Sequence, residues 1–181
     1  CWIASLFSSN VSSAENWPRF RGPAGAGTSH QKGLPVEWLQ DDYAWQTKLP
    51  GLGHSSPCVW GDHLFLTSAQ DDGRVRLLLD IDTNTGRVRW TTTTDSKNHV
   101  NHKLNSFASG TPATDGERVY VLFASDEQLL VLAYDFDGKQ IWKRDLGPFY
   151  QNKGQVHGCG TSPIVFEDVV ILANQQDGPA S

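Results

Sequence analysis

Ser55-Ser56-Pro57-Cys58-Val59-Trp60-Gly61-Asp62-His63-Leu64-Phe65-Leu66-Thr67 is echoed twice further along the chain. The second copy is Gly110-Thr111-Pro112-Ala113-Thr114-Asp115-Gly116-Glu117-Arg118-Val119-Tyr120-Val121-Leu122, and the third is Thr161-Ser162-Pro163-Ile164-Val165-Phe166-Glu167-Asp168-Val169-Val170-Ile171-Leu172. Pro57, Pro112 and Pro163 fall 55 and 51 residues apart. Each copy reads as a short strand opened by proline, where a missing backbone donor does least harm, then a tight turn and a β-branched or aromatic run. Asp115-Gly116 is the clearest turn signal, since glycine tolerates the positive φ that two-residue hairpins demand. Every copy therefore begins with a hairpin.

Working outward, the segment after each hairpin also recurs. Leu77-Leu78-Leu79-Asp80-Ile81-Asp82, the turn Thr83-Asn84-Thr85-Gly86 and the strand Arg87-Val88-Arg89-Trp90 correspond to Leu130-Val131-Leu132-Ala133-Tyr134-Asp135, Phe136-Asp137-Gly138 and Lys139-Gln140-Ile141-Trp142. Asp and Thr side chains hydrogen-bond turn backbone, and Gly supplies the left-handed position. The unit is thus four strands closed by a tryptophan. Four-stranded units of this length without a helical period are the signature of β-propeller blades. Weak alternation in the apolar runs fits strands covered on both faces by neighbouring blades. A buried indole removes roughly 150–250 Å² from water, on the order of 4–6 kcal/mol, which one blade alone cannot supply. A two-sheet sandwich is the competing all-β architecture, but it does not account for a repeat ending in Trp.

The chain has 181 residues, 38% of them apolar and 19% charged, so it should pack a core. Its net charge of −5 and lack of a Lys/Arg block argue against nucleic acid as a partner. There is no Met, so residues are expected to precede Cys1. The run Cys1 to Phe7, with small residues after it and Ser12 and Ala14 at cleavage-compatible positions, reads as the remnant of a signal peptide over 1–14. Export to the periplasm or the medium is expected, with no transmembrane span in the mature chain. Residues 15–50 are expected to hold an outer strand, ending at Trp45, that completes a blade. Blades are expected over 51–94 and 95–146, and 147–181 starts a further one that is cut short. About three blades are present, fewer than the four to eight that closure requires. Of the cysteines, Cys58 and Cys159 lie in the mature part without metal spacing; two small buried residues is preferred to a long-range disulfide.

Asp82-Thr83-Asn84-Thr85-Gly86-Arg87-Val88-Arg89-Trp90 resembles the tryptophan-docking motif of pyrroloquinoline quinone (PQQ) repeats, approximately Ala-x-Asp-x-x-Thr-Gly-x-x-x-Trp. In the second copy Ala133, Asp135, Gly138 and Trp142 fit, with a turn one residue shorter and no Thr. Asn16-Trp17-Pro18-Arg19-Phe20-Arg21-Gly22-Pro23, with Leu34-Pro35-Val36-Glu37-Trp38 and Ala44-Trp45, further resembles exported bacterial PQQ-binding-like propeller proteins. The resemblance implies two branches. Quinoprotein dehydrogenases of alcohols or sugars hold PQQ over calcium or a lanthanide beside a vicinal disulfide, and this chain has no adjacent cysteines. Non-catalytic members, including the propeller lipoprotein of the outer-membrane barrel-assembly machinery, keep the docking motif without quinone. The expected function is a non-catalytic binding or scaffolding module for envelope proteins or a small ligand, with no cofactor and no metal; the alternative is a PQQ-dependent dehydrogenase using PQQ with calcium. Asp82, Thr85, Gly86, Trp90, Asp135, Gly138 and Trp142 are assigned to structural docking.

Propeller loops that join one blade to the next commonly line a funnel. Here they carry His54, His102, Lys103, Asn105 and His157, which are candidates for contact with a ligand or ion. Hydrogen bonding between neighbouring loops is the preferred reading of the same residues, because imidazoles on successive blades are expected too far apart to share one metal. Asp82, Asp135 and Asp137 sit beside turn glycines and read as backbone caps rather than an acid/base pair. Ser55, Ser56 and Ser162 have no nucleophile-elbow context.

Overall fold

A computed structural model describes residues 15–150 and 157–174. The architecture is all-β, built of successive four-stranded antiparallel sheets, and forms part of a β-propeller. The first sheet has the order β1(Cys58–Trp60), β2(His63–Gln70), β3(Val75–Asp82), β4(Val88–Asp95). The second repeats it with β5(Ala113–Thr114), β6(Arg118–Ala124), β7(Leu129–Asp135) and β8(Gln140–Asp145). A third hairpin pairs β9(Ile164–Phe166) with β10(Val169–Ile171). Pro57, Pro112 and Pro163 each stand immediately before the first strand of their unit, outside the ladder that they would weaken. The expected signal-peptide remnant lies outside the described residues.

Neighbouring sheets stack through side chains, which explains why the strands read as apolar on both faces. Cys58, Phe65 and Leu78 of the first sheet join Val119, Val121, Phe123, Leu130, Leu132 and Tyr134 of the second in one cluster, with Trp90 and Phe136 packed against it. The alternate residues Leu122, Ala124, Leu129 and Val131 point the other way, and with Phe149 they meet Trp142, Cys159 and Leu172. Cys58 and Cys159 are free thiols, not a disulfide. Both complete sheets carry a register shift in the same place, between Asp80 and Ile81 and between Ala133 and Tyr134, opposite the closing tryptophans. A bulge of this kind bends the strand and increases its local twist.

The segment ahead of the first sheet has no named strand. Trp17 pairs with Val59 on the free edge of β1, exchanging both backbone hydrogen bonds at 2.8 Å. Pro18 O then accepts from Thr114 N at 2.8 Å, so this stretch crosses the inner strands of two consecutive sheets. Trp45, expected at the end of an outer strand, lies in a run without regular secondary structure among the described residues.

Candidate functional site

Three groups of residues carry polar chemistry, and the docking turn is the first. Asp82 Oδ1 accepts from the amides of Asn84 at 3.0 Å and Thr85 at 2.9 Å and from the Thr85 hydroxyl at 3.0 Å. Asp135 Oδ1 does the same for Asp137 N at 3.1 Å and Lys139 N at 2.8 Å. The shorter second turn closes with Gly138 N on Asp135 O, whereas Gly86 N reaches back one residue further, to Asp82 O. Neither turn receives the indole of its own unit. Trp45 Nε1 donates to Thr83 O at 2.7 Å, and Trp90 Nε1 donates to Phe136 O at 2.8 Å. Each indole thereby lies on the turn glycine of the next sheet along the chain. A Cβ on Gly86 would stand 2.6 Å from Trp45 Cδ2, and one on Gly138 would stand 2.8 Å from Trp90 Cδ2. Both glycines also hold φ values, +69° and +82°, that other residues rarely adopt. Trp142 is half-buried against the cluster that leads to the third hairpin, with its ring 5.9 Å from that of Tyr120.

The loop residues form the second group. The structure brings His102, Asn105 and His157 together: Asn105 N donates to His102 O at 2.8 Å, its Nδ2 donates to His157 O, and the His102 and His157 rings lie 5.3 Å apart. The segment 96–112 meets His157 through these residues, so these two imidazoles are much closer than loops on successive units were expected to hold them. Gly158 permits that approach, because a Cβ there would lie 2.1 Å from Asn101 Oδ1. His54 adjoins the group through its backbone, its N–H reaching Ala108 O and Ser106 Oγ at 3.0 Å each, and Lys103 is exposed. The contacts in this region are loop-to-loop hydrogen bonds. Among the described residues, no three His, Cys, Asp or Glu side chains converge to hold a metal ion.

The third group was not anticipated. Asp80 is fully buried, at 0% exposure, and its Oδ2 lies 2.8 Å from His63 Nδ1. His63 Nε2 faces Arg89 Nη1 at 3.0 Å, and Arg89 Nη2 joins Asp62 to Asp82. The imidazole packs 4.8 Å from the ring of Phe136 in the next sheet. The Arg89 hydrogen bond, helped by the Thr85 and Asn84 amides, holds the Asp82 carboxyl down at about 2 and also lowers Asp62. Burial raises Asp80 despite its imidazole partner. Asp62 and Asp82 together push the Arg89 guanidinium above its ordinary value. Only the antiparallel register, with His63 opposite Asp82 and Asp80 opposite Trp90, brings these residues into contact. In the second sheet the position of Asp80 is taken by Ala133, so the signal available in the sequence was an acidic residue at an apolar repeat position.

Sheets joined by indoles seated on the next turn are docked-tryptophan propeller repeats. Residues 39–178 match the PQQ-repeat family model described as outer membrane protein assembly factor BamB, and the chain belongs to that family. Among solved structures, a europium-containing methanol dehydrogenase matches with 23% identity and a TM-score of 0.37, over 54% of this chain and 15% of that one. No curated protein matches. Among the described residues, the docking-motif carboxylates Asp82 and Asp135 are occupied by turn amides.

Proposed function

We propose that the chain is part of an exported, non-catalytic propeller that serves the cell envelope as a binding or scaffolding module. The observation that carries this reading is the internal use of the docking motif. Its aspartates cap turns, its glycines seat indoles, and the Trp90 indole N–H is bonded to a carbonyl of the neighbouring sheet, as is that of Trp45. Polar groups used in this way are engaged in holding sheet to sheet. The family's description as an outer-membrane assembly factor supports an envelope role, with other envelope proteins or a small ligand bound at the loop end around His102, Asn105 and His157. The leader-like composition of 1–14 supports periplasmic or extracellular placement. No helix among the described residues is long and apolar enough to cross a membrane.

The test uses the full-length protein incubated with PQQ and calcium. The expected outcome is no bound quinone spectrum and no alcohol- or sugar-dependent dye reduction, with folding unchanged. A quinone spectrum that persists through gel filtration and supports dye reduction would establish the dehydrogenase reading instead.

A further inference from the structure

The stretch from Trp17 onward runs along the free edges of the inner strands. Val59 on β1 exchanges two backbone hydrogen bonds with Trp17, and Thr114 on β5 donates to Pro18 O at 2.8 Å. Val165 on β9 is the equivalent residue of the third unit, two positions after its proline. There the stretch makes no backbone hydrogen bond among the described residues. A cleft of about 280 Å³ lies at that point instead, with Arg19, Phe20 and Arg21 on one side and Ser162, Pro163 and Ile164 on the other.

Two guanidiniums are fixed beside this cleft by the turns that follow them. Gly22 N donates to Arg19 O and Gly25 N to Gly22 O, both at 3.0 Å, and Gly27 N donates to Arg21 O at 2.9 Å. A Cβ on Gly25 would stand 3.2 Å from Arg19 Nη2, and one on Gly27 would stand 3.3 Å from Arg21 Nε. Arg19 Nη2 donates to Pro23 O at 2.9 Å and Arg21 Nη2 to Ala26 O at 3.4 Å. Each guanidinium therefore uses one nitrogen on its own loop and keeps its other donors. Gly25 also walls the cleft, which places the Arg19 guanidinium at the cleft surface. The ion pairs of the described residues engage His63, Arg89 and Lys97, so neither Arg19 nor Arg21 has a carboxylate partner. In a chain of net charge −5, two unpaired cations beside one cleft form a local site of opposite sign, suited to an anion.

The remaining walls define the rest of the ligand. Phe20 is 50% exposed and Ile164 39%, and with Pro163 they give the cleft apolar sides. The Ser162 hydroxyl accepts from Thr111 N at 2.9 Å and keeps its own proton to donate. Apolar walls with a few convergent polar groups suit a small molecule better than a bare ion. We propose that this cleft binds a small organic carboxylate, its charged end on the Arg19 and Arg21 guanidiniums and its apolar body against Phe20, Pro163 and Ile164. The planar donor fork of arginine matches the two oxygens of a carboxylate. The site shares no residue with the loop cluster of His102, Asn105 and His157 and is independent of the envelope role proposed above.

The experiment titrates the full-length protein with sodium benzoate at low ionic strength by isothermal titration calorimetry, with benzyl alcohol and inorganic phosphate as comparison ligands. The expected result is benzoate binding with a Kd of about 1 mM, as a ligand of this size allows. Both comparison ligands should bind at least about fivefold more weakly, because the alcohol lacks the charge and phosphate lacks the apolar body. Arg21 is exposed, so Arg21→Gln should leave the circular dichroism spectrum unchanged while weakening benzoate about fivefold or more. Arg19→Gln should weaken it at least as much. No binding of benzoate, binding of either comparison ligand as tight as that of benzoate, or an Arg21→Gln affinity equal to that of the wild type would overturn the proposal.

Discussion

Asp82 uses both carboxylate oxygens, one on the turn amides and the other on Arg89. Its carboxyl lies at about 2 in the folded protein, against an ordinary value of 3.8. Because the folded value is the lower one, the stabilisation is fully present above about pH 4 and is lost as the pH falls toward 2. Replacing Asp82 with Asn should therefore lower the melting temperature at pH 6 and narrow the gap to wild type on acidification toward pH 2, as scanning calorimetry of the intact protein would show. A gap that stayed constant with pH would mean that the carboxylate charge contributes nothing. At this scale the capping aspartates were legible, because Asp before a turn glycine has one common local use. The His63–Asp80–Arg89 network was not, since its members lie 17 and 9 positions apart in sequence and meet only through strand pairing.

Between elements, the residue before each proline forms a relay. Ser56 N donates to Thr111 Oγ1 at 3.2 Å, and Thr111 N donates in turn to Ser162 Oγ at 2.9 Å. Equivalent positions of consecutive hairpins are thus tied side chain to backbone, which gives a reason for Ser or Thr ahead of Pro57, Pro112 and Pro163 beyond turn preference. Thr111 is 2% exposed. Thr111→Val keeps the shape but removes the acceptor, and should cost about 1–2 kcal/mol in chemical denaturation through the unsatisfied Ser56 amide. Ser162→Ala removes the next link and should cost a similar amount, about 1 kcal/mol, because the amide of buried Thr111 loses its acceptor. Strands and hairpins were readable from proline spacing and β-branched runs. The relay was not, because a repeat in sequence shows which positions are equivalent without showing that equivalent positions touch.

Across the molecule, cohesion depends on how one sheet recognises the next. The sequence pointed to indoles closing each unit against a neighbour, and the structure adds the receptor: the turn glycine and carbonyl of the next sheet. Trp60 does the same at the hairpin end, where a Cβ on Gly116 would meet its Cζ2 at 2.5 Å. Trp45 reaches Gly86 without belonging to a described strand, so docking does not require the indole to be held in a sheet. The arrangement is directional: the first unit offers Trp90 forward to Gly138 and receives Trp45 on Gly86, as an array of repeats needs.

The most direct measurement is a double-mutant cycle on Trp90 and Gly138 in the full-length protein, read by chemical denaturation. Trp90→Ala alone should cost about 3 kcal/mol or more, as large truncations in packed sites do. Gly138→Ala alone should cost about 2–3 kcal/mol, combining a positive φ with the collision against the indole. With Trp90 already removed, Gly138→Ala should cost only about 1 kcal/mol, because the conformational part alone remains. A coupling of at least about 1 kcal/mol between residues of different sheets is the predicted result; strict additivity would contradict the docking of each indole on its neighbour's turn.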